Sequence, residues 1–108
     1  LFDEDHYTTA RDMAVIAREA MKDPTFRKIV ATKDHKAQRI DSDYLTFHNK
    51  NKTIFQYDGG TGIKIGYTKA SGRTLVAERD GRSMICVVMS APDWFQDAYK
   101  LMDYGFDR

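Results

Sequence analysis

Chemistry is easiest to place at Asp58-Gly59-Gly60-Thr61-Gly62-Ile63-Lys64-Ile65-Gly66-Tyr67-Thr68-Lys69, where a glycine-rich turn runs into a segment that sets Lys64 between two isoleucines. Glycines ahead of a lysine raise the question of a phosphate loop, which needs Gly-x-x-x-x-Gly-Lys-Ser/Thr opening a helix. Here Ile63 precedes Lys64, a strand pattern follows, and the glycines at 60 and 62 are not followed by one at 65, so the phosphate-loop and dinucleotide fingerprints both fail. What is left is a cation on a strand, with Gly66 and Thr68 on the same face by two-residue alternation. Lys64 alone cannot run acyl transfer, because an activated nucleophile needs a base within hydrogen-bond reach and donors for the oxyanion. His6, His35 and His48 lack paired ligand spacing and there is one cysteine, so neither a metal site nor a cofactor is expected. Cys86 lies in the apolar run Met84-Ile85-Cys86-Val87-Val88-Met89 and is expected to be a buried, inert thiol. Arg27, Lys28, Lys33, Lys36 and Arg39 form a local basic patch that reads as a solvated face, with an anionic glycan or nucleic acid the less favoured contact.

The elements that must carry these residues are legible at the two ends of the chain. Thr9 and Asp12 form a helix N-cap with an acidic first turn. Ala10, Met13, Ala14, Ala17, Ala20 and Met21 then recur at helical spacing, predicting an amphipathic helix that ends near Lys22. Asp23-Pro24 caps a second short helix to about Val30, with Phe26, Ile29 and Val30 as its buried side. Between residues 31 and 57 the pattern is weak: Gln38 to Phe47 has strand character and His48-Asn49-Lys50-Asn51-Lys52 reads as a polar loop. Strands follow at Gly62 to Lys69, Arg73 to Arg79 and Ser83 to Met89, joined by turns at Ala70-Ser71-Gly72 and Asp80-Gly81, giving an antiparallel meander. Ser90-Ala91-Pro92-Asp93 opens a last helix whose apolar face is Trp94, Phe95, Ala98, Leu101 and Met102. Gly105 is placed to end it, and the helix should lie across the sheet. The fold class is α+β.

At 108 residues the chain amounts to one modest domain, and seventeen basic against sixteen acidic residues leave a net charge of +1. No global field favours nucleic acid or an anionic membrane. No apolar stretch approaches the ~20 residues needed to span a bilayer, and the acidic start Leu1-Phe2-Asp3-Glu4-Asp5 is unlike a secretory signal. The run Met84 to Met89 reads as a strand covered on both faces, yet its only evident neighbour is the strand at 73–79. A partner strand is expected, since an open apolar edge templates pairing.

Residue by residue, the chain resembles the serine D-alanyl-D-alanine carboxypeptidases, the low-molecular-mass penicillin-binding proteins of the β-lactamase-like superfamily. Lys64-Ile65-Gly66 stands where that family has a Lys-Thr-Gly triplet on a cleft-lining strand. His6 to Met13 with Asp23 to Val30 looks like the end of the family's helical subdomain, and His48 to Lys52 resembles its asparagine-rich lead to the third motif. Gly72 to Ala77, Ala91 to Phe95 and Asp103-Tyr104-Gly105-Phe106 resemble the strand and final helix that complete the catalytic domain. The resemblance implies an incomplete transpeptidase-like fold, a single partial domain with the helical tail at 1–30 and the strands and closing helix at 31–108.

By the same resemblance, Lys64, Ile65, Gly66 and Thr68 are the substrate-binding candidates: the cation orients a substrate carboxylate and Gly66 admits a close backbone approach. Ile65 replaces the threonine hydroxyl that would hydrogen-bond that carboxylate, which points to weakened or lost activity. Family catalysis also needs Ser-x-x-Lys and Ser-x-Asn, and none of Ser42, Ser71, Ser83 or Ser90 begins either pattern, so no complete catalytic set lies in these residues. The implied enzyme trims stem peptides of peptidoglycan in the cell envelope, outside the cytoplasmic membrane, and is acylated by β-lactams. The expected partner is a complementary N-terminal fragment, whose strand would pair with 83–89, or a second copy through the same edge. The alternative is a non-catalytic binding module that keeps the penicillin-binding fold.

Overall fold

The computed structural model describes residues 2–40, 43–79, 81 and 83–107. Helix α1, Ala10–Ala20, begins where the Thr9 hydroxyl accepts the Asp12 amide (3.0 Å). It stops two residues before the expected Lys22, because the Lys22 and Asp23 amides bond back only three residues, to Glu19 and Ala20, and the tightened turn hands the chain to a new cap. There the Asp23 carboxylate accepts from Thr25 and Phe26 with Pro24 at the first helical position, opening α2, Pro24–Val30. Phe26 and Val30 are half-buried against α1 and the sheet, whereas Ile29, expected inside, is exposed.

The weakly patterned middle is a separate hairpin, β1 at Asp34–Gln38 against β2 at Tyr44–His48, followed by the short helix α3 at Thr53–Gln56. Nearly every residue of β1 and β2 is exposed, so neither strand has a buried face to write an alternating pattern into the sequence. The asparagine-rich link is held by asparagine side-chain bonds, one reaching back to just past the end of α2 and two local. Asn49 donates to the Thr32 carbonyl (3.0 Å) and accepts from the Asn51 amide, and Asn51 in turn accepts from Thr53.

The main sheet is β3, Gly60–Thr68, β4, Gly72–Arg79, and β5, Met84–Val88, antiparallel in that order, with β3 and β5 at its edges. The expected hairpin turn at Asp80-Gly81 falls partly outside the described residues. β4 is buried on both faces. Leu75 and Ala77 join Cys86, Val88, Phe95, Ala98 and Met102 on one side, while Val76 joins Ala17, Met21 and Ile63 on the other. Helix α4, Trp94–Phe106, supplies the first layer and α1 with α2 the second.

Two readings of α4 change. Leu101 is exposed, not part of the packed face. Gly105 lies inside the last turn, where a methyl group would meet the thioether end of Met84 and require it to move, and the helix ends at the Asp107 cap. Burial pushes the Cys86 thiol up to about 11. A raised native pKa means the unfolded chain releases the proton first, so this group's share of stability holds below pH 9.0 and falls between pH 9.0 and about 11. Reaction with a thiol reagent at pH 8 is therefore expected to follow global unfolding; rapid labelling of folded protein would contradict a buried thiol.

Candidate functional site

β3 presents the candidate residues on opposite faces. Lys64, cross-strand from Val76, is exposed at the mouth of an apolar cavity of about 310 Å3 lined by Met13, Ile16, Ala17, Phe26, Val30 and Val76 among others. Its ammonium donates to the carbonyl of its neighbour Ile65. Ile65, cross-strand from Leu75, turns to the other face and packs half-buried against the core under α4. Gly66 is exposed, and a side chain built on it would meet nothing within 4 Å. The Thr68 hydroxyl accepts the Ser71 amide (3.0 Å), so it serves the β3–β4 turn. Lys64 and Gly66 thus share an open outer edge, Thr68 sits at its end, and Ile65 is withdrawn from it.

A buried carboxylate fixes this edge. Glu78 is wholly buried on β4 and accepts two bonds from Arg27 of α2 (2.8 and 3.0 Å), one from the Thr61 hydroxyl at the start of β3 and one from Ser83 (3.2 Å). One side chain therefore ties α2, the glycine-rich entry to Lys64 and the approach to β5 together. It was legible in principle, as a carboxylate directly following the apolar run Leu75-Val76-Ala77 within a strand. Arg27, placed in the basic patch by sequence, instead points inward and also donates to the Met21 carbonyl (3.1 Å). Lys28, Lys33 and Lys36 remain on the surface, Lys36 over the Tyr44 ring (4.2 Å). At the other end of the glycine turn, the Tyr57 hydroxyl donates to Asp103 of α4 and accepts from Arg79 (3.1 Å). Burial first, and the Asp103 carboxylate second, push the Tyr57 pKa up, so the phenol stays a donor through the neutral range.

The family model for D-alanyl-D-alanine carboxypeptidase matches residues 1–93, a span that includes this strand edge and the glycine turn leading into it. The chain belongs to the D-alanyl-D-alanine carboxypeptidase family. It is 35% identical to the D-alanyl-D-alanine carboxypeptidase of Streptomyces sp. (strain K15) over 94% of this chain and 38% of that protein. It is 33% identical to DacB2 of Mycobacterium tuberculosis, over 92% of this chain and 36% of the relative. The crystal structure of the Streptomyces K15 DD-transpeptidase superposes with a TM-score of 0.90 at 31% identity, covering 98% of this chain and 44% of that one. The chain thus spans less than half the length of the family members it matches, and its α+β fold with antiparallel strands is the family's.

Proposed function

We propose that these 108 residues carry the substrate-binding strand of a serine-type D-alanyl-D-alanine carboxypeptidase acting on peptidoglycan stem peptides, the nucleophile and base coming from a segment outside them. The observation that carries this reading is Gly66. Nothing inside the chain asks for a glycine there: its backbone avoids the left-handed region and the space beside it is empty. A bare backbone at an unpaired strand edge suits an extended peptide laid alongside it. Lys64, two residues away on the same face, would then trade the Ile65 carbonyl for the peptide's terminal carboxylate, a charge-assisted bond about twice as strong as a neutral one. The segment that brings the serine would also cover the apolar cavity beneath Lys64 and pair with the free edge of β5. The reaction belongs to the cell envelope outside the cytoplasmic membrane; among the described residues no helix is long and apolar enough to cross one.

The second reading, a non-catalytic module on the same fold, is favoured by Ile65, which packs inward and offers no hydroxyl to a carboxylate. Turnover on a D-Ala-D-Ala peptide, measured on this chain joined by its complementing segment, separates the two. Lys64→Ala is expected to abolish it, whereas Ile65→Thr, whose hydroxyl would lie under α4 on the face opposite Lys64, is expected to leave the rate unchanged. A module predicts no turnover in any of the three proteins.

A further inference from the structure

The free edge of β5 is flanked by two cavities, one on each face of the strand. On one side Arg11, Ala14, Val15 and Arg18 of α1 stand with Ser83 and Ile85 around about 450 Å3. On the other, Asp97, Lys100 and Leu101 of α4 stand with Val88, Met89 and Ala91 around about 480 Å3. Val15 and Leu101, 53% and 49% exposed, are apolar side chains left on the two helical rims. A strand bonded to β5 would lie roughly 4.8 Å beyond it and carry side chains alternately into both cavities.

The two cavities differ in charge. Among the described residues, the α4 side carries one carboxylate and one ammonium, Asp97 and Lys100, whereas the charged groups lining the α1 side are Arg11 and Arg18. Among the described residues neither guanidinium enters an ion pair, and the nearby Glu19 is held by Lys22 (2.8 Å). Seven residues apart on α1, they stand about 10 Å apart along the helix axis, against about 7 Å between same-face side chains two positions apart on a strand, a difference that the long arginine side chains can span.

We propose that the β5 edge takes an amphipathic strand from outside these 108 residues whose α1-facing side chains include carboxylates, recognised by Arg11 and Arg18. The proposal rests on the reading that an outside segment completes this sheet, and it specifies that segment's chemistry. It also disfavours a second copy of the chain as the occupant. Met84-Ile85-Cys86-Val87-Val88 has no carboxylate to offer, and two-fold pairing through β5 would set the two α1 helices, with four arginines, side by side.

Two synthetic peptides test it on the whole chain at low ionic strength: one alternates valine with glutamate and threonine, and the other has lysine in place of each glutamate. The acidic peptide is expected to bind about ten-fold or more tightly than the basic one and to slow amide hydrogen exchange across Met84–Val88. Arg11→Glu with Arg18→Glu reverses the order of the two peptides, and Arg11→Gln with Arg18→Gln removes the preference. Equal affinities with β5 protected would overturn the acidic recognition while leaving sheet completion intact. Failure of both peptides to protect β5, or a dimer that excludes them, would overturn the proposal and the outside-segment reading together.

Discussion

Replacing Glu78 with alanine is expected to destabilise the fold by about 3–5 kcal/mol, the cost of removing one partner from a buried ion pair. The carboxylate is fully enclosed while the Arg27 side chain keeps 32% of its surface, so solvent softens the penalty on the arginine and places the loss toward the lower end. Thr61 and Ser83 lose their acceptor as well. Domains of this size hold about 5–15 kcal/mol in all, so Glu78→Ala removes a large share of the stability. Glu78→Gln keeps the shape and two acceptor or donor positions and should cost less. Urea denaturation reads both values, and an alanine variant within about 1 kcal/mol of the parent would mean that Glu78 does not hold α2 onto β4.

The second large effect is one of contrast. Gly66→Val is expected to leave stability unchanged or raise it by about 0.5–1 kcal/mol, because the position has ordinary strand geometry, open space and only glycine's entropy to lose. In the complemented enzyme the same change should abolish peptide hydrolysis, since a branched side chain stands where substrate backbone must approach. A stable variant with unaltered turnover would show that nothing docks on this edge.

How much of this could be read beforehand varies with how strongly each segment is tied to a buried face. The caps at Thr9 and Asp23 and the meander from residue 60 to 88 carry local signals, and the structure forms them within one or two residues of where the sequence places them. The strand character read over Gln38 to Phe47 covers most of β2 but misses nearly all of β1, because exposed strands need no alternation, and α3 escaped because four residues held by Asn51 and Lys52 are too few to show a period. At the site, the strand and the facing of Lys64 and Gly66 followed from two-residue alternation. The inward packing of Ile65 against Leu75 depends on α4, and the Glu78 clamp joins residues up to 51 positions apart, so neither is a local property. Ile29 and Leu101 show the opposite error, in which an apolar residue at the right spacing still faces solvent because no neighbouring element reaches it. Leu101 borders the open β5 edge, where the proposed strand would lie.

Covalent labelling by a fluorescent penicillin tests the division of labour most directly, with mass spectrometry locating the adduct. The chain alone should remain unlabelled, because none of its four serines has a lysine three residues on to serve as base. Joined by the segment that carries the serine motifs, it should support stoichiometric acylation on that segment, lost on Lys64→Ala. A stoichiometric adduct on Ser42, Ser71, Ser83 or Ser90 of the isolated chain would contradict this outright, and labelling of the joined protein that is indifferent to Lys64 would remove β3 from the site.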